Sequence, residues 1–454
     1  MNAHTTGVAR GERAPAPASQ VRIRPAYDAN ASGPSVVNMW QRGVPVDEKL
    51  WTPSVIALLV VAAVGIVLAI YRLTGNLGSV SGMTDVYAWG VWKTFNVMTL
   101  TALGTGGLSI GAAAWIFGRK DFHVVMRTAL VMSLMFYLTG LLALGIDVGR
   151  PWNFYHVLMP WKWNVHSSLL EVAVCMPLYA TLFLALENLP MLGERLWYYG
   201  SNETRARLTA LRRPFRGAYP FLIAGAYMLP AMHQSSLGAL LLLAGPKVHP
   251  LWQTPALPLL YLMQAGICGF GFTIVTLMTS CLVWQRPLDL KVIGALGDWM
   301  SRLILVWLGV RFVDLYVRGE VGRVFTFDRY STLFLIENAM VFVPAVILRS
   351  RKFARTPRIV FNMAVMTCIG GMAYRFIPTT VSYDPGHQFS YFPALPELLV
   401  MLGLIALAIV GFNLAAKLFA VLPAPFDSWV EAVEWLEVER HQAEAKSHGN
   451  AAHD

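Results

Sequence analysis

Charge is scarce in this chain. Of its 454 residues only 14% are Asp, Glu, Lys or Arg, against 56% hydrophobic, and the mean hydropathy is +0.51. A soluble domain carries nearer a quarter charged residues, so most of the chain is built for a bilayer. Alternation of polar and apolar positions is missing as well. The apolar runs are unbroken and about 20 residues long, which excludes the strands of a membrane barrel and leaves helices. Cysteine is confined to Cys175, Cys268, Cys281 and Cys368, all inside apolar runs. None forms a Cys-x-x-Cys pair, so the sequence predicts no iron–sulfur cluster, zinc site or disulfide framework. The net charge of +10 sits in short clusters between the runs. That is topology-setting loop charge, and it argues against nucleic acid as a partner.

Residues 1–48 contain no apolar stretch and read as a mobile arm. No cleavable signal precedes the first run, which is too long and too late for one. Ten runs follow, at about 51–72, 92–117, 124–146, 167–189, 217–244, 257–284, 296–317, 330–349, 358–377 and 395–421. The expectation is an all-α membrane protein whose ten-span domain covers 49–422. A tail, 423–454, follows, and its segment 426–438 has the pattern of an interfacial amphipathic helix.

Basic residues alternate by side. Arg195, Arg205, Arg207, Arg212, Arg213 and Arg216 lie between runs four and five, Arg351, Lys352 and Arg355 between eight and nine, and Arg119 and Lys120 between two and three. The opposite loops hold few. The positive-inside rule then places both termini in the cytoplasm of a bacterial inner membrane. The other, periplasmic face carries two long aromatic loops, 150–166 and 379–393.

An internal echo is visible. Asp147 and Glu171 end run three and begin run four, and Asp314 and Glu337 do the same for seven and eight. Runs two and six are both glycine-rich. The pattern predicts two parallel four-helix bundles, runs two to five and six to nine, with the first and last helices peripheral. A charge at mid-bilayer costs about 2.5–3.5 kcal/mol, so buried ones need a reason. Arg311 and Arg375 lie at the depth of these acids. Ion pairing between helices, such as Asp314 with Arg375 or Arg311, is the plain structural alternative, and it leaves Glu171 and Glu337 without an evident cation. Such acids are candidates for a proton path, here Asp314, Glu337, Arg375 and Arg311.

Of 10 histidines, His233 alone lies deep in a run. A haem held by two facing histidines lacks candidates, so the chain is expected to carry no haem. A quinone suits the remaining chemistry. It needs an apolar slot, hydrogen-bond partners for two carbonyl oxygens and a supply of protons. Asp147, His156, His166 and Glu171 lie at one depth beside an aromatic loop, and His233 and Gln234 reach toward it from run five. Glu171 and His166 are the expected catalytic pair.

Asp147-Val148-Gly149-Arg150-Pro151, ten helices and no haem pair resemble the NrfD/polysulfide-reductase membrane subunits. Met232-His233-Gln234-Ser235-Ser236-Leu237-Gly238, followed by Pro250-Leu251-Trp252-Gln253-Thr254-Pro255, resembles their HybB type, the membrane subunit of hydrogen-uptake nickel–iron hydrogenases. The likeness covers roughly 50–422. It implies a periplasmic ferredoxin-like 4Fe–4S subunit docked on the aromatic loops and catalytic hydrogenase subunits beyond it. Menaquinone or ubiquinone would be reduced at the periplasmic end of the first bundle, with proton translocation as a further property. A molybdoenzyme of the polysulfide or tetrathionate type is the alternative catalytic partner. A proton-coupled secondary transporter is the rival from another class, although its site would sit mid-membrane among inverted repeats.

Overall fold

The computed structural model describes residues 45–423, apart from 47, 76, 165, 166, 355, 387 and 388, and leaves some side chains of the fourth and fifth helices undescribed. The arm, the tail with its 426–438 helix, and His166 fall outside the described residues.

Among the described residues ten long helices follow one another: α1 (Pro53–Thr74), α2 (Lys93–Ile116), α3 (His123–Asp147), α4 (168–199), α5 (Asn202–Leu242), α6 (Leu257–Val283), α7 (Leu290–Val317), α8 (Arg329–Leu348), α9 (Pro357–Val381) and α10 (Leu395–Leu418). Among the described residues eight are long and apolar enough to cross a membrane, while α5 and α7 carry more charge and pack lengthwise against such helices. Capping sets several starts. Thr52, Ser201, Asp289 and Asp328 each accept a backbone N–H of the first turn of α1, α5, α7 and α8, satisfying donors that a helix start leaves open.

Two boundaries differ from the sequence reading. Residues 190–216, expected as a loop, are nearly all helical: α4 runs on to Tyr199 and α5 begins at Asn202. Good helix formers such as Arg, Ala and Leu, and a Glu203–Arg207 pair one turn apart, let the helices continue past the apolar run. α2 is irregular for the opposite reason. Its glycines break regular winding, and π-helical turns at Lys93–Thr99 and Ala112–Ile116 flank two short α-helical pieces.

Helices α2–α5 form one bundle and α6–α9 a second, and α1 and α10 pack on each other against α3. α1 and α10 cross where a side chain on Gly65 would stand 2.8 Å from the Gly403 Cα. The glycine-rich α2 and α6 turn out to be partners at the seam of the bundles. Thr105 Oγ1 donates to the Ala265 carbonyl at 2.5 Å and Ser109 Oγ to the Gly266 carbonyl at 3.0 Å. A side chain on Gly269 would meet the Thr105 carbonyl oxygen at 2.7 Å, so the seam closes only on glycine. Gly269→Val should therefore destabilise the protein by about 1–3 kcal/mol. Thermal unfolding in detergent reads this, and an unchanged midpoint would contradict the seam.

Candidate functional site

All loops that follow odd-numbered helices emerge at one end, called here the aromatic face. Asp147 closes α3 there and Lys93 opens α2. Their side chains pair at 2.7 Å, and the buried Trp92 donates its indole N–H to Asp147 at 3.3 Å. Arg72 of α1 donates to the Val148 carbonyl at 3.0 Å, fixing the turn that follows. The loop then runs through 3₁₀ turns, with the His156 ring 4.3 Å from that of Tyr155. Trp152, Tyr155, Leu158 and Trp161 are exposed. Glu171 is exposed too, which corrects its reading as a buried acid: helical depth fixes height, not the direction a side chain faces.

Deeper in the first bundle lies a wholly buried polar group. Gln234 donates to Thr101 Oγ1 at 3.1 Å and to the Tyr137 hydroxyl at 3.3 Å. His233 meets the Tyr137 ring edge-on at 5.7 Å, and Tyr137 meets Tyr179 at 4.8 Å. Both His233 ring nitrogens, the Gln234 side-chain oxygen, the Tyr179 hydroxyl and the whole Asn96 amide have no protein partner among the described residues. Buried polar atoms ordinarily find partners, so this group is equipped to bind something polar.

The second bundle is arranged differently. Arg311 pairs with Glu337, which also accepts the Trp252 indole N–H at 2.7 Å, and Arg311 donates to Asn338 at 3.1 Å. Its guanidinium lies 4.4 Å from the Phe334 ring centroid and 4.7 Å from that of Tyr374. Glu337 therefore has its cation, contrary to expectation. Asp314 pairs with neither Arg375 nor Arg311. It binds Arg318 one turn on, at 2.9 Å, and accepts from Thr254 at 2.6 Å. Arg375, wholly buried, donates to the Gln264 side chain at 3.1 Å and the Tyr261 carbonyl at 3.2 Å, and has no carboxylate among the described residues. It lies within electrostatic reach of His233 and Tyr137, so the polar groups of the two bundles face each other across the seam.

Several of these residues escaped the sequence reading. Lys93, Tyr137, Trp252 and Gln264 are ordinary residues of apolar runs or loops, and only packing reveals them. Glu397 had a signal, an acid just after Pro396 at a helix start. It accepts from the Val91 amide at 2.6 Å, the Gly82 amide at 3.2 Å and the Tyr391 hydroxyl at 2.5 Å, tying the 79–92 segment to the last loop.

At the same face Tyr87 donates to the Thr380 carbonyl at 2.6 Å, and burial pushes its hydroxyl up to about 12. His249 packs its ring 4.6 Å from Tyr330. Burial holds it below its usual range, against an opposing pull from Asp328. The folded chain thus binds this proton more weakly than the unfolded one. The stability concerned is full above about pH 6.5 and is lost as pH falls below it. His249→Gln should flatten the drop in melting temperature between about pH 7 and about pH 5; a drop as large as the wild type's would contradict this.

The family model described as "Polysulphide reductase, NrfD" matches residues 79–380. The chain belongs to the NrfD family. It is 35% identical over 382 residues, 84% of this chain and 95% of the relative, to the "Probable Ni/Fe-hydrogenase 2 b-type cytochrome subunit" of Escherichia coli K12. It is 25% identical over 383 residues, 78% of this chain and 88% of the relative, to the "Menaquinone reductase, integral membrane subunit" of Nitratidesulfovibrio vulgaris Hildenborough. A 22% identity over 404 residues, 81% of this chain and 93% of the relative, relates it to an "Hdr-like menaquinol oxidoreductase integral membrane subunit" of Archaeoglobus fulgidus.

The first of these names overturns the expectation that haem has no place here. That expectation rested on counting facing histidine pairs, and haem iron is also held through a single histidine or through mixed ligands. Among the described residues His233 is the histidine wholly buried between helices, with both ring nitrogens unpartnered. Its unpartnered nitrogens make it the described side chain that would hold a haem iron. A second imidazole opposite it is not among the described residues.

Proposed function

We propose that this NrfD-family chain is the quinone-reactive membrane subunit of a respiratory oxidoreductase, most closely of the hydrogen-uptake type. Electrons arrive from a ferredoxin-like 4Fe–4S subunit docked on the aromatic face and leave on menaquinone or ubiquinone. Two relatives bear names of menaquinone or menaquinol oxidoreductase membrane subunits, and another that of a hydrogenase subunit. The observation that carries the reading is the junction of α2 and α3. There a charged, hydrogen-bonding set, Asp147, Lys93 and Trp92, lies at the base of a loop that exposes Trp152, Tyr155 and Trp161. Exposed aromatics of this kind suit a partner surface, and the charged set suits a quinone carbonyl.

In this reading the aromatic face is periplasmic and both termini are cytoplasmic. Asp147, His156, His166 and Glu171 serve the quinone from the rim, with Glu171 and His166 handling its protons. His233 and Gln234 serve it from below. If a haem were bound here, His233 would hold it in place of serving the quinone, and the group would supply one-electron transfer. In the second bundle Asp314, Glu337, Arg375 and Arg311 form the proton path, which requires the Arg311–Glu337 and Asp314–Arg318 pairs to exchange partners in turn.

Asp147→Asn keeps the shape and removes the charge. It should raise the quinone KM about tenfold, the worth of one charge-assisted hydrogen bond, in a complex that still assembles. Quinone titration of the purified complex reads this. Wild-type kinetics in this variant, and in Glu171→Gln and His166→Ala as well, would refute the site.

A further inference from the structure

A cavity of about 90 Å³ lies between α2, α3, α4 and α5 toward the end opposite the aromatic face. Gly107 and Gly111 form one wall, and a side chain on Gly111 would stand 2.9 Å from the Tyr227 hydroxyl. The missing side chain keeps the space open. Half-exposed Trp115, from the last turn of α2, lines it too. At one probe sphere of about 10–15 Å³ per water, the cavity holds several.

Glu187 lines this cavity. It forms no ion pair among the described residues, and its Oε2 is buried without a partner. Its neighbour along the helix behaves otherwise: Glu194 pairs with Arg127 at 2.6 Å. The helix around Glu187 is also irregular. A π-helical turn, Tyr179–Phe183, precedes it. Pro190 follows, and having no N–H it leaves the Leu186 carbonyl without its helical partner. Both residues border the cavity. Irregular turns of this kind recur at functional sites.

The buried polar group of the first bundle lies further inward. Tyr179 lies eight residues earlier on the same helix, and Glu187 and Tyr227 are both within its electrostatic reach. Its hydroxyl is buried and unpartnered, and its ring meets Tyr137, which joins Gln234 and His233. The groups facing Glu187 from the other walls are uncharged: Gly107, Gly111 and Trp115 from α2, Met126 and Leu130 from α3, and Tyr227 from α5.

We propose that Glu187 is a proton-exchanging carboxyl at the end of the first bundle opposite the aromatic face. It takes a proton from the water of that aqueous phase and passes it by way of cavity water toward the buried group around Tyr179, Tyr137 and Gln234. The proposal rests on quinone chemistry in the first bundle, because a quinone that gains two electrons also gains two protons. It adds that those protons come from the far side of the membrane.

The purified complex, reconstituted in liposomes with dihydrogen as electron donor, menadione as electron acceptor and a pH dye in the compartment facing Glu187, tests this. Glu187→Gln should slow quinone reduction about a hundredfold, the scale of one lost proton-transfer group, and abolish alkalinisation of that compartment. Glu187→Asp should retain part of both. A Glu187→Gln complex that reduces quinone and takes protons from that compartment at wild-type rates would overturn the proposal and leave the quinone reading standing. Infrared difference spectra after a pH jump provide a readout without turnover. A carboxyl C=O band that Glu187→Gln removes is expected even if the wild-type complex reduces no quinone, in which case the quinone reading alone fails. Identical spectra from the two complexes would overturn the proposal outright.

Discussion

The close approach of α2 and α6 holds the rest of the arrangement in place. A bilayer interior offers no water to an unpaired backbone group or charge, so each polar side chain must find its partner inside the protein. Glycines let the two helices touch, with Thr105 and Ser109 bonded to carbonyls across the seam. That contact brings Arg375 of one bundle within electrostatic reach of Tyr137 and His233 of the other. Without it there would be two separate bundles, each with a costly buried polar group of its own.

The bundles differ in how their charges are held, although each keeps unpartnered buried polar atoms, in the second the Tyr261 and Tyr374 hydroxyls, Arg311 Nη2 and Arg375 Nη1. In the second, the charges are closed on one another: Arg311 with Glu337, and Asp314 with Arg318. Removing one member of such a pair leaves an uncompensated charge, which is why buried pairs resist change. In the first, the deep group is left open, with His233, Asn96 and Tyr179 unpartnered. An open polar group between apolar helices suits exchange of protons and ligands, and a closed one suits the holding of shape. Arg375, cationic and without a carboxylate among the described residues, stands where the two meet.

Helix number and order were legible in the sequence because an apolar run of about 20 residues has one structural meaning in lipid. The ends of α4 and α5 were not, since helices outlast their apolar runs where good helix formers follow. For the site, position along an apolar run sets depth but not azimuth. Asp147, Asp314, Glu337 and Arg375 were recognisable as unusual at their height, yet their partners came from directions that only packing defines: Lys93, Arg318, Arg311 and Gln264. The same limit turned Glu171 outward. Glu187 was overlooked because it stands close to the basic cluster after α4 and resembles loop charge. Haem was excluded by counting histidine pairs, a rule about one ligation scheme rather than about haem. The NrfD resemblance, carried by a turn and a short helical motif, needed no azimuth and held.

A quinone bound in the first bundle at the aromatic face would lie against the start of α2 and the loop after α3. Photolabelling of the intact complex with an azido-quinone, followed by mass spectrometry of the peptides, tests this most directly. Label on the 92–99 and 147–163 segments, competed away by unlabelled quinone, is the predicted result. Label confined to α7 and α8, around Arg311 and Glu337, would contradict the account.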